Sequence, residues 1–328
     1  MYKSVVAVAL AAAVAVQPAN AQQEETSLAL PALTITFTPV YVAADAGLWA
    51  KHGLNVKLQD ISGLGSTNAM LAGSVDFAVG SGPTVIRANI RGQKIIGVAL
   101  MANGVAFETV MRPEATGGLT RQSPLADRAR SFRGKKIMVD NPNTIVHAFL
   151  RYIARKGGVD PEREITVVSM QPAAALAALK SGAIDGGTFT LPWSHTAVRQ
   201  GNVLMATGYG DVPELLPFGS TATLTRPGFC EQKPSVCAKL VAGYKDAHAF
   251  VHDRQAEAIE ILKKRMPTID PADLAGAYAQ MKTTTPRIPS FSEEGFARAQ
   301  TLMLEGGMIK AEEKLSSFRD IYTNAYVR

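Results

Sequence analysis

The 328-residue sequence contains few of the side chains that carry covalent, redox or metal chemistry. It has two cysteines, two tryptophans and five histidines, and aromatic residues make up 7% of the chain. No further cysteine or histidine stands close to Cys230 and Cys237, so the pair does not indicate a metal site.

The chain also lacks a concentrated basic region. Its 34 Lys and Arg residues against 28 Asp and Glu give a net charge of +6, but the basic residues are spread out. The densest run, residues 128–136, is short and offers only Phe132 for stacking on bases. It is typical of a solvated face or an interlobe segment, and we expect no nucleic acid partner.

Apolar residues are what the chain has in quantity. They make up 47% of it, against 19% charged residues, and this balance excludes a disordered or low-complexity protein. The length is about twice that of a common domain, which predicts two domains.

The N-terminus has the pattern of an export signal. Lys3 precedes an uninterrupted apolar run over residues 5–16, and Ala19-Asn20-Ala21 forms a cleavage site. The run is too short to span a bilayer, and no later apolar stretch approaches that length. Residues 1–21 are therefore predicted to be a signal peptide on an exported, soluble protein. In an oxidising compartment we expect Cys230 and Cys237 to form a disulfide; two separately buried thiols are the alternative.

Two stretches of the chain repeat one order of elements, which predicts two α/β lobes. Strand, helix, strand, helix and strand are predicted first over residues 34–38, 40–51, 54–59, 67–72 and 75–79. They are predicted again over residues 135–139, 145–156, 164–169, 172–180 and 184–189. In both stretches a Gly-x-[Val/Ile]-Asp motif is followed by a proline, with six residues between the Asp and the proline. Alternating strands and helices favour mainly parallel sheets flanked by helices.

The rest of the chain predicts how the lobes connect. Residues 221–225 form one more strand, helices follow from Pro234, and Ser290 opens a capping box before a helix over residues 294–304. Lobe one is predicted over residues 30–112 and 224–328, and lobe two over residues 113–223. The chain then crosses near residues 108–113 and 219–226, which makes a two-crossing hinge.

Ligands of such sheets bind at the carboxyl ends of the strands. The predicted ends hold Ser, Thr, Asn, Gly and Pro but neither Lys nor Arg, so helix N-termini are the available anion-binding groups. Asp60 and Asp140 oppose this interpretation unless they turn away. Asn143, Ser66 and Thr67 fit helix caps as well as ligand contacts, and Trp193 fits the core as well as a pocket wall.

Catalytic patterns are incomplete. Gly63-Leu-Gly65-Ser-Thr-Asn68 lacks the third glycine of a dinucleotide fingerprint, and Gly80-Ser81-Gly82 lacks the flanks of a nucleophile elbow. His248 and His252 are four residues apart, but Ala249 replaces the glutamate of a zinc protease. We expect no catalytic residue, cofactor or metal.

Several segments together resemble a known family. Pro39-Val-Tyr41-Val-Ala43-Ala-Asp45-Ala-Gly47-Leu-Trp49, His52-Gly-Leu-Asn-Val56 and Gly73-Ser-Val-Asp76-Phe77 are similar to the substrate-binding proteins of nitrate, sulfonate and taurine ABC importers. Arg133-Gly-Lys135-Lys136 and Gly182-Ala-Ile-Asp185 fit the same pattern, and the similarity covers about residues 34–265. It implies a type II periplasmic binding-protein fold, a ligand between the lobes and a membrane permease as partner.

The resemblance also implies ligand contacts. Those carried over from the family's loops are Thr38, Tyr41, Gly65, Ser66, Ser81, Gly82, Asn143 and Thr144. The strand ends add Pro39, Asn141, Thr188 and Trp193. The expected function is a monomeric periplasmic protein that captures a small organic anion, sulfonate- or carboxylate-like, for an ABC importer. The alternatives are a pyrimidine-binding or thiamine-precursor biosynthetic protein, whose family's cysteine-rich motif is missing here, and a sensory ligand receptor.

Overall fold

The computed structural model describes residues 23–142 and 144–327. The predicted signal peptide and Asn143 lie outside the described residues. The strands are β1 (Glu24–Leu30), β2 (Leu54–Asp60), β3 (Phe77–Ser81), β4 (Ile96–Ala102), β5 (Phe107–Met111), β6 (Lys135–Val139), β7 (Ile165–Ser169), β8 (Gly186–Thr190), β9 (Val203–Thr207) and β10 (Thr221–Thr225).

The α-helices lie between and after these strands. They are α1 (Thr38–Asp45), α2 (Leu48–Lys51), α3 (Leu64–Leu71), α4 (Gly82–Ile90), α5 (Leu125–Arg130), α6 (Ile145–Lys156), α7 (Pro172–Ser181), α8 (Trp193–Arg199), α9 (Phe229–Gln232), α10 (Pro234–Asp253), α11 (Gln255–Arg265), α12 (Pro271–Thr284) and α13 (Glu293–Glu305). Short 3-10 turns include Ile35–Phe37 and Pro213–Leu215. Among the helices of residues 23–142 and 144–327, none combines the length and the hydrophobicity that a membrane-spanning helix requires.

The strands form two five-stranded sheets with the same topology. Their orders are β2-β1-β3-β10-β4 in lobe one and β7-β6-β8-β5-β9 in lobe two. In each sheet the first three strands are parallel and the fourth is antiparallel to both of its neighbours. The two-lobed α/β fold and the internal repeat predicted from the sequence are confirmed.

The first predicted strand is wrong. Residues 34–38 form a 3-10 turn leading into α1, and the first strand is β1, whose seven residues pair with β2 from Glu24 opposite Leu54 to Leu30 opposite Asp60. Thr34 to Phe37 alternate as in a strand, but all four are buried, so their period does not separate a core side from a solvent side. Pro39 at the second position of α1 is a favoured helix start rather than a strand stop.

The lobe boundaries also differ from the prediction. β5 lies between β8 and β9, with Phe107 opposite Thr190, so the chain has already reached lobe two at residue 107. β10 pairs along its whole length with β3 in lobe one. The crossings are therefore residues 103–106 and 208–220. The sequence does not show that β5 and β10, which directly follow the two crossings, are the antiparallel strands of lobe two and lobe one.

Two smaller predictions need correction. The N-cap of α13 is Ser292, whose Oγ accepts the Gly295 N–H at 3.0 Å, and not Ser290. In the basic run, Arg128 is only 3% exposed, since it pairs with Asp211 at 2.8 Å inside lobe two. Cys230 and Cys237 are joined in a disulfide bond with an S–S distance of 2.02 Å.

Candidate functional site

The carboxyl ends of β1 and β2 form one side of the candidate site. The Ile61 N–H donates to the Leu30 carbonyl at 3.0 Å, and the Gly63 N–H donates to the Pro31 carbonyl at 2.9 Å. This pairing continues the sheet into the loops and leaves Leu33 53% and Leu64 69% exposed. Two large apolar side chains therefore lie uncovered at the same sheet edge, a feature that the sequence analysis missed.

Tyr41 lies beneath this edge. Its side chain is buried, and its hydroxyl lies against the backbone of Thr34 but meets no partner in hydrogen-bonding geometry among the described residues. Burial raises the pKa of Tyr41 to about 12, and the nearby Asp60 carboxylate acts in the same direction. A buried hydroxyl without a partner costs free energy, so a ligand acceptor here would stabilise the protein.

A cation close to the Tyr41 ring comes from the C-terminal helices. The Arg265 guanidinium lies 5.5 Å from the centre of the Tyr41 ring and forms an ion pair with Asp45. Arg265 ends α11, far along the chain from α1, so no local sequence pattern could have identified it.

Thr38 and Pro39 lie within α1 and are buried. The Thr38 hydroxyl donates to the Ile35 carbonyl at 2.5 Å, closing the turn before the helix. At the start of α3, Ser66 is buried and its hydroxyl donates to the Gly63 carbonyl at 2.9 Å. A Cβ added at Gly65 would stand 3.2 Å from Cγ2 of Ile61. In the described conformation both hydroxyls are therefore satisfied within the protein.

The start of α4 serves the lobe junction. The Gly82 N–H donates to the Gly219 carbonyl at 3.0 Å, and a Cβ at Gly82 would come within 2.4 Å of that oxygen. Ser81 caps the helix by accepting the Thr84 N–H at 3.2 Å. Since Pro83 has no N–H, the first backbone donors of α4 are spent inside the protein.

In lobe two, Asp140 follows β6 and organises the start of α6. Its Oδ1 accepts the Asn141 N–H at 2.7 Å and the Thr144 hydroxyl at 2.9 Å. Thr144 in turn caps α6 by accepting the His147 N–H at 3.4 Å. Burial raises the pKa of Asp140, and the Asn141 and Thr144 hydrogen bonds oppose this effect. The carboxylate thus uses donors that the sequence analysis assigned to a ligand.

The β8 end joins the two lobes. The Thr34 hydroxyl donates to the Leu191 carbonyl at 3.4 Å, and the Leu191 side chain is buried within the apolar core of lobe one. Trp193 is partly buried against the lobe-two core. Thr188 lies deeper in the sheet, where its hydroxyl is 2.9 Å from that of Thr109 on β5. The structure therefore places the Trp193 loop, but not Thr188, at the lobe junction.

Helices α8 and α12 form a polar contact between the lobes. Gln280 of α12 accepts a hydrogen bond from His195 Nε2 at 2.9 Å and donates through Nε2 to Glu108 at 2.7 Å. Glu108 is 2% exposed, and its other partner is the Thr207 hydroxyl at 2.9 Å. Gln280 therefore satisfies a buried carboxylate of the other lobe.

Histidines and acidic residues do not gather into a metal site in residues 23–142 and 144–327. His248 and His252, four residues apart on α10, each contact a backbone carbonyl after α12, those of Pro286 and Thr285. They hold this loop onto α10.

Solved structures place the molecule in a fold class. A structure from Bordetella bronchiseptica RB50 superposes with a TM-score of 0.77 at 17% identity, covering 93% of this chain and 96% of that chain. The periplasmic aliphatic sulphonate binding protein SsuA from Escherichia coli gives 0.67 at 18% identity, covering 85% and 90%. The desulfurization enzyme DszB gives 0.66 at 11% identity, covering 93% and 98%. The molecule has the periplasmic binding-protein fold, which also occurs in an enzyme.

The sequence narrows this class to a family. The model of the NMT1-like family matches residues 21–264, and the chain belongs to that family. It is 30% identical over 180 residues to the bicarbonate transport ATP-binding protein CmpC of Synechocystis sp., covering 51% of this chain and 26% of CmpC. It is 23% identical over 243 residues to the bicarbonate-binding protein CmpA of Synechococcus elongatus, covering 69% of this chain and 53% of CmpA. The chain thus spans about a quarter to a half of these relatives, and the resemblance found in the sequence is confirmed.

Proposed function

We propose that this chain is the solute-binding component of an ABC importer and captures a small organic anion between its two lobes. The observation that carries the proposal is the buried Tyr41 hydroxyl near the carboxyl ends of β1 and β2, which meets no partner in hydrogen-bonding geometry within residues 23–142 and 144–327. Parallel α/β sheets bind ligands at this end, and here the β8 loop of lobe two reaches it through Leu191. A ligand acceptor facing Tyr41 would satisfy the hydroxyl.

An anionic ligand is supported by two considerations. Tyr41 presents a hydrogen-bond donor, and Arg265 provides positive charge on the same side of lobe one. Relatives and structural neighbours include proteins named for bicarbonate and aliphatic sulphonate. Leu33 and Leu64 add apolar surface at the same edge, which suits an organic anion better than a bare inorganic one.

Export and delivery complete the proposal. The N-terminal pattern directs the chain to the periplasm, where it acts as a monomer and hands its ligand to an inner-membrane permease. Site residues of the proposal are Tyr41 and the loops around Ser66, Asn143 and Trp193.

The test is a thermal-shift and calorimetric screen of sulfonates, carboxylates, nitrate and bicarbonate, followed by the variant Tyr41→Phe. Removing the hydroxyl should weaken binding of the best anion about tenfold or more while leaving the fold intact, because the hydroxyl makes no well-formed hydrogen bond among the described residues. Tyr278→Phe is the matched control: its hydroxyl donates to the Val251 carbonyl at 2.6 Å, so it should lose stability and keep affinity. Equal affinity of Tyr41→Phe and the parent chain would contradict the placement of the site.

An enzyme is the second candidate, since a desulfurization enzyme shares the fold. The same screen separates the two: a solute-binding protein returns its ligand unchanged after prolonged incubation, as measured by mass spectrometry. Recovery of a product would favour the enzyme, and capture of a sensor kinase in place of a permease by cross-linking would favour a receptor.

A further inference from the structure

The loops at the candidate site carry charge of one sign. Residues 31–34, 60–66 and 80–84 of lobe one and residues 140–144, 169–171 and 188–193 of lobe two contain no Lys or Arg. Their only charged residues are Asp60 and Asp140. An anion that presents only acceptor oxygens to lobe two would therefore face a carboxylate.

Asp140 is the more constrained of the two carboxylates. It is partly buried after β6, and its Oδ1 holds the Asn141 N–H and the Thr144 hydroxyl. These donors stand at the start of α6, where an anionic ligand would otherwise use them. Asp60 is exposed and lies on the Arg265 side of lobe one. Lobe two thus presents the Asp140 carboxylate as an acceptor, and two of its donors, the Asn141 N–H and the Thr144 hydroxyl, already donate to that carboxylate.

We propose that Asp140 is a specificity-determining residue: it requires a hydrogen-bond donor on the part of the ligand that faces lobe two. The inference rests on the proposed function, because it places the ligand between the lobes. The second support is the buried Tyr41 hydroxyl of lobe one, a donor that meets no acceptor in hydrogen-bonding geometry in the part of the chain that the structure describes. The fitting ligand is two-ended: an acidic group meets lobe one, and a hydroxyl, ammonium or protonated oxygen meets Asp140. Oxyanions without any hydrogen-bond donor should bind more weakly.

Matched probes test this requirement. 1-Propanesulfonate, isethionate and taurine share one acidic group and nearly one length, but end in methyl, hydroxyl and ammonium. Nitrate and bicarbonate are planar monoanions, of which only bicarbonate carries an O–H. In calorimetric titrations we expect the donor-bearing member of a binding pair to be favoured about ten- to a hundredfold.

The decisive variant is Asp140→Asn. The amide oxygen can still accept from Asn141 and Thr144, so the start of α6 is kept, while the amide N–H₂ replaces an acceptor with a donor. The preference for donor-bearing probes should collapse about tenfold or more, and the donor-free probes should bind more tightly. Asp140→Ser, whose hydroxyl can still accept a hydrogen bond before α6, should collapse the preference in the same way if the asparagine variant does not fold. Asp127→Asn, an exposed carboxylate paired with Arg130, is the control and should change nothing.

The outcomes separate the two proposals. Tight binding of a probe by the parent chain with no donor preference would overturn the role of Asp140 and leave the solute-binding function standing. A preference that survives in both Asp140 variants would do the same. If no anion of the panel binds, the proposed function fails and the inference falls with it.

Discussion

Arg199 on α8 grips Asp273 on α12 through two hydrogen bonds, from Nε to Oδ1 and from Nη2 to Oδ2, each 2.8 Å long. The Thr196 hydroxyl donates to the same carboxylate at 2.8 Å. Asp273 is 5% exposed, whereas Arg199 is half exposed. The hydrogen bonds to a buried carboxylate of lobe one thus come from one helix of lobe two, so the lobes are coupled by more than the two crossings.

Asp273→Ala should loosen this coupling. It leaves Arg199 with Asp270 and solvent as partners but removes the acceptor of a buried Thr196 hydroxyl, so we expect a loss of about 1–3 kcal/mol in the free energy of unfolding. Glu257→Ala, which breaks the exposed pair with Arg254, should cost at most about 0.5 kcal/mol. Urea denaturation of both variants measures the difference, and equal midpoints would show that the α8–α12 contact contributes nothing.

Gln280→Leu should lower the free energy of unfolding. The change leaves the buried Glu108 carboxylate without its amide donor, with an expected cost of about 2–3 kcal/mol. Adding Glu108→Gln should recover part of the loss, because an amide needs less compensation than a carboxylate. A double variant no more stable than Gln280→Leu alone would argue against a shared network; chemical denaturation provides the measurement.

Stability should fall as the pH is lowered from about 6.5 to 4. Burial lowers the pKa of His248 to about 4, and burial together with Arg151 lowers that of His147 to about 4. Between pH 6.5 and 4 the two imidazoles bind protons in the unfolded chain but stay neutral in the folded protein. Lowering the pH in this range therefore favours the unfolded state. For the fully buried His248 the effect approaches about 3 kcal/mol by pH 4. Denaturation curves at several pH values should show a shallower decline for His248→Gln, and an unchanged slope would contradict this origin.

Thr144→Val should destabilise the protein by about 1 kcal/mol, since it removes the N-cap of α6 and a donor to Asp140. The sequence alone predicts a loss of ligand affinity with the helix intact. Comparing Thr144→Ser, which keeps the hydroxyl, separates the two effects. If Thr144→Val binds ligand weakly but unfolds at the parent midpoint, the hydroxyl serves the ligand rather than the helix.

Closure should be visible in small-angle scattering as a smaller radius of gyration with saturating ligand. The lobes touch at α8–α12 and also at α13–α6. At the second contact a Cβ added at Gly306 would come within 2.5 Å of the Ala148 Cβ, so the two helices lie close together. We therefore expect a modest contraction in the parent chain and a larger one in Asp273→Ala, whose free form can open further. No change in either would count against hinge closure.

The sequence predicted elements well where the core side of an element is marked by period or caps. β6, α6 and β10 have the predicted bounds, because apolar residues and clear stops delimit them. Residues 34–38 were wrongly predicted as a strand, because alternation carries no information in an element that is buried on all sides. The exchange of β5 and β10 was equally hidden, because pairing partners are set by contacts between residues far apart in the chain.

The candidate site was predicted by position rather than by chemistry. Predicted strand ends nominated Tyr41, Ser66 and Thr144, although the strand predicted before Tyr41 is a 3-10 turn. The rule could not show that Thr144 donates to Asp140 or that Thr188 faces Thr109 inside the sheet. Which atoms a polar side chain satisfies depends on neighbours that only the folded chain brings together. Arg265 and Leu191 were missed for the same reason.

The antiparallel strand of each sheet gives the two lobes unequal independence during synthesis. All five strands of lobe two lie between residues 107 and 207 in one continuous stretch. The sheet of lobe one stays open between β3 and β4 until residues 221–225 emerge to fill the gap. Lobe two is therefore an insertion that can complete its sheet first. The strands of lobe one that are made earlier complete their sheet only when β10 pairs between β3 and β4.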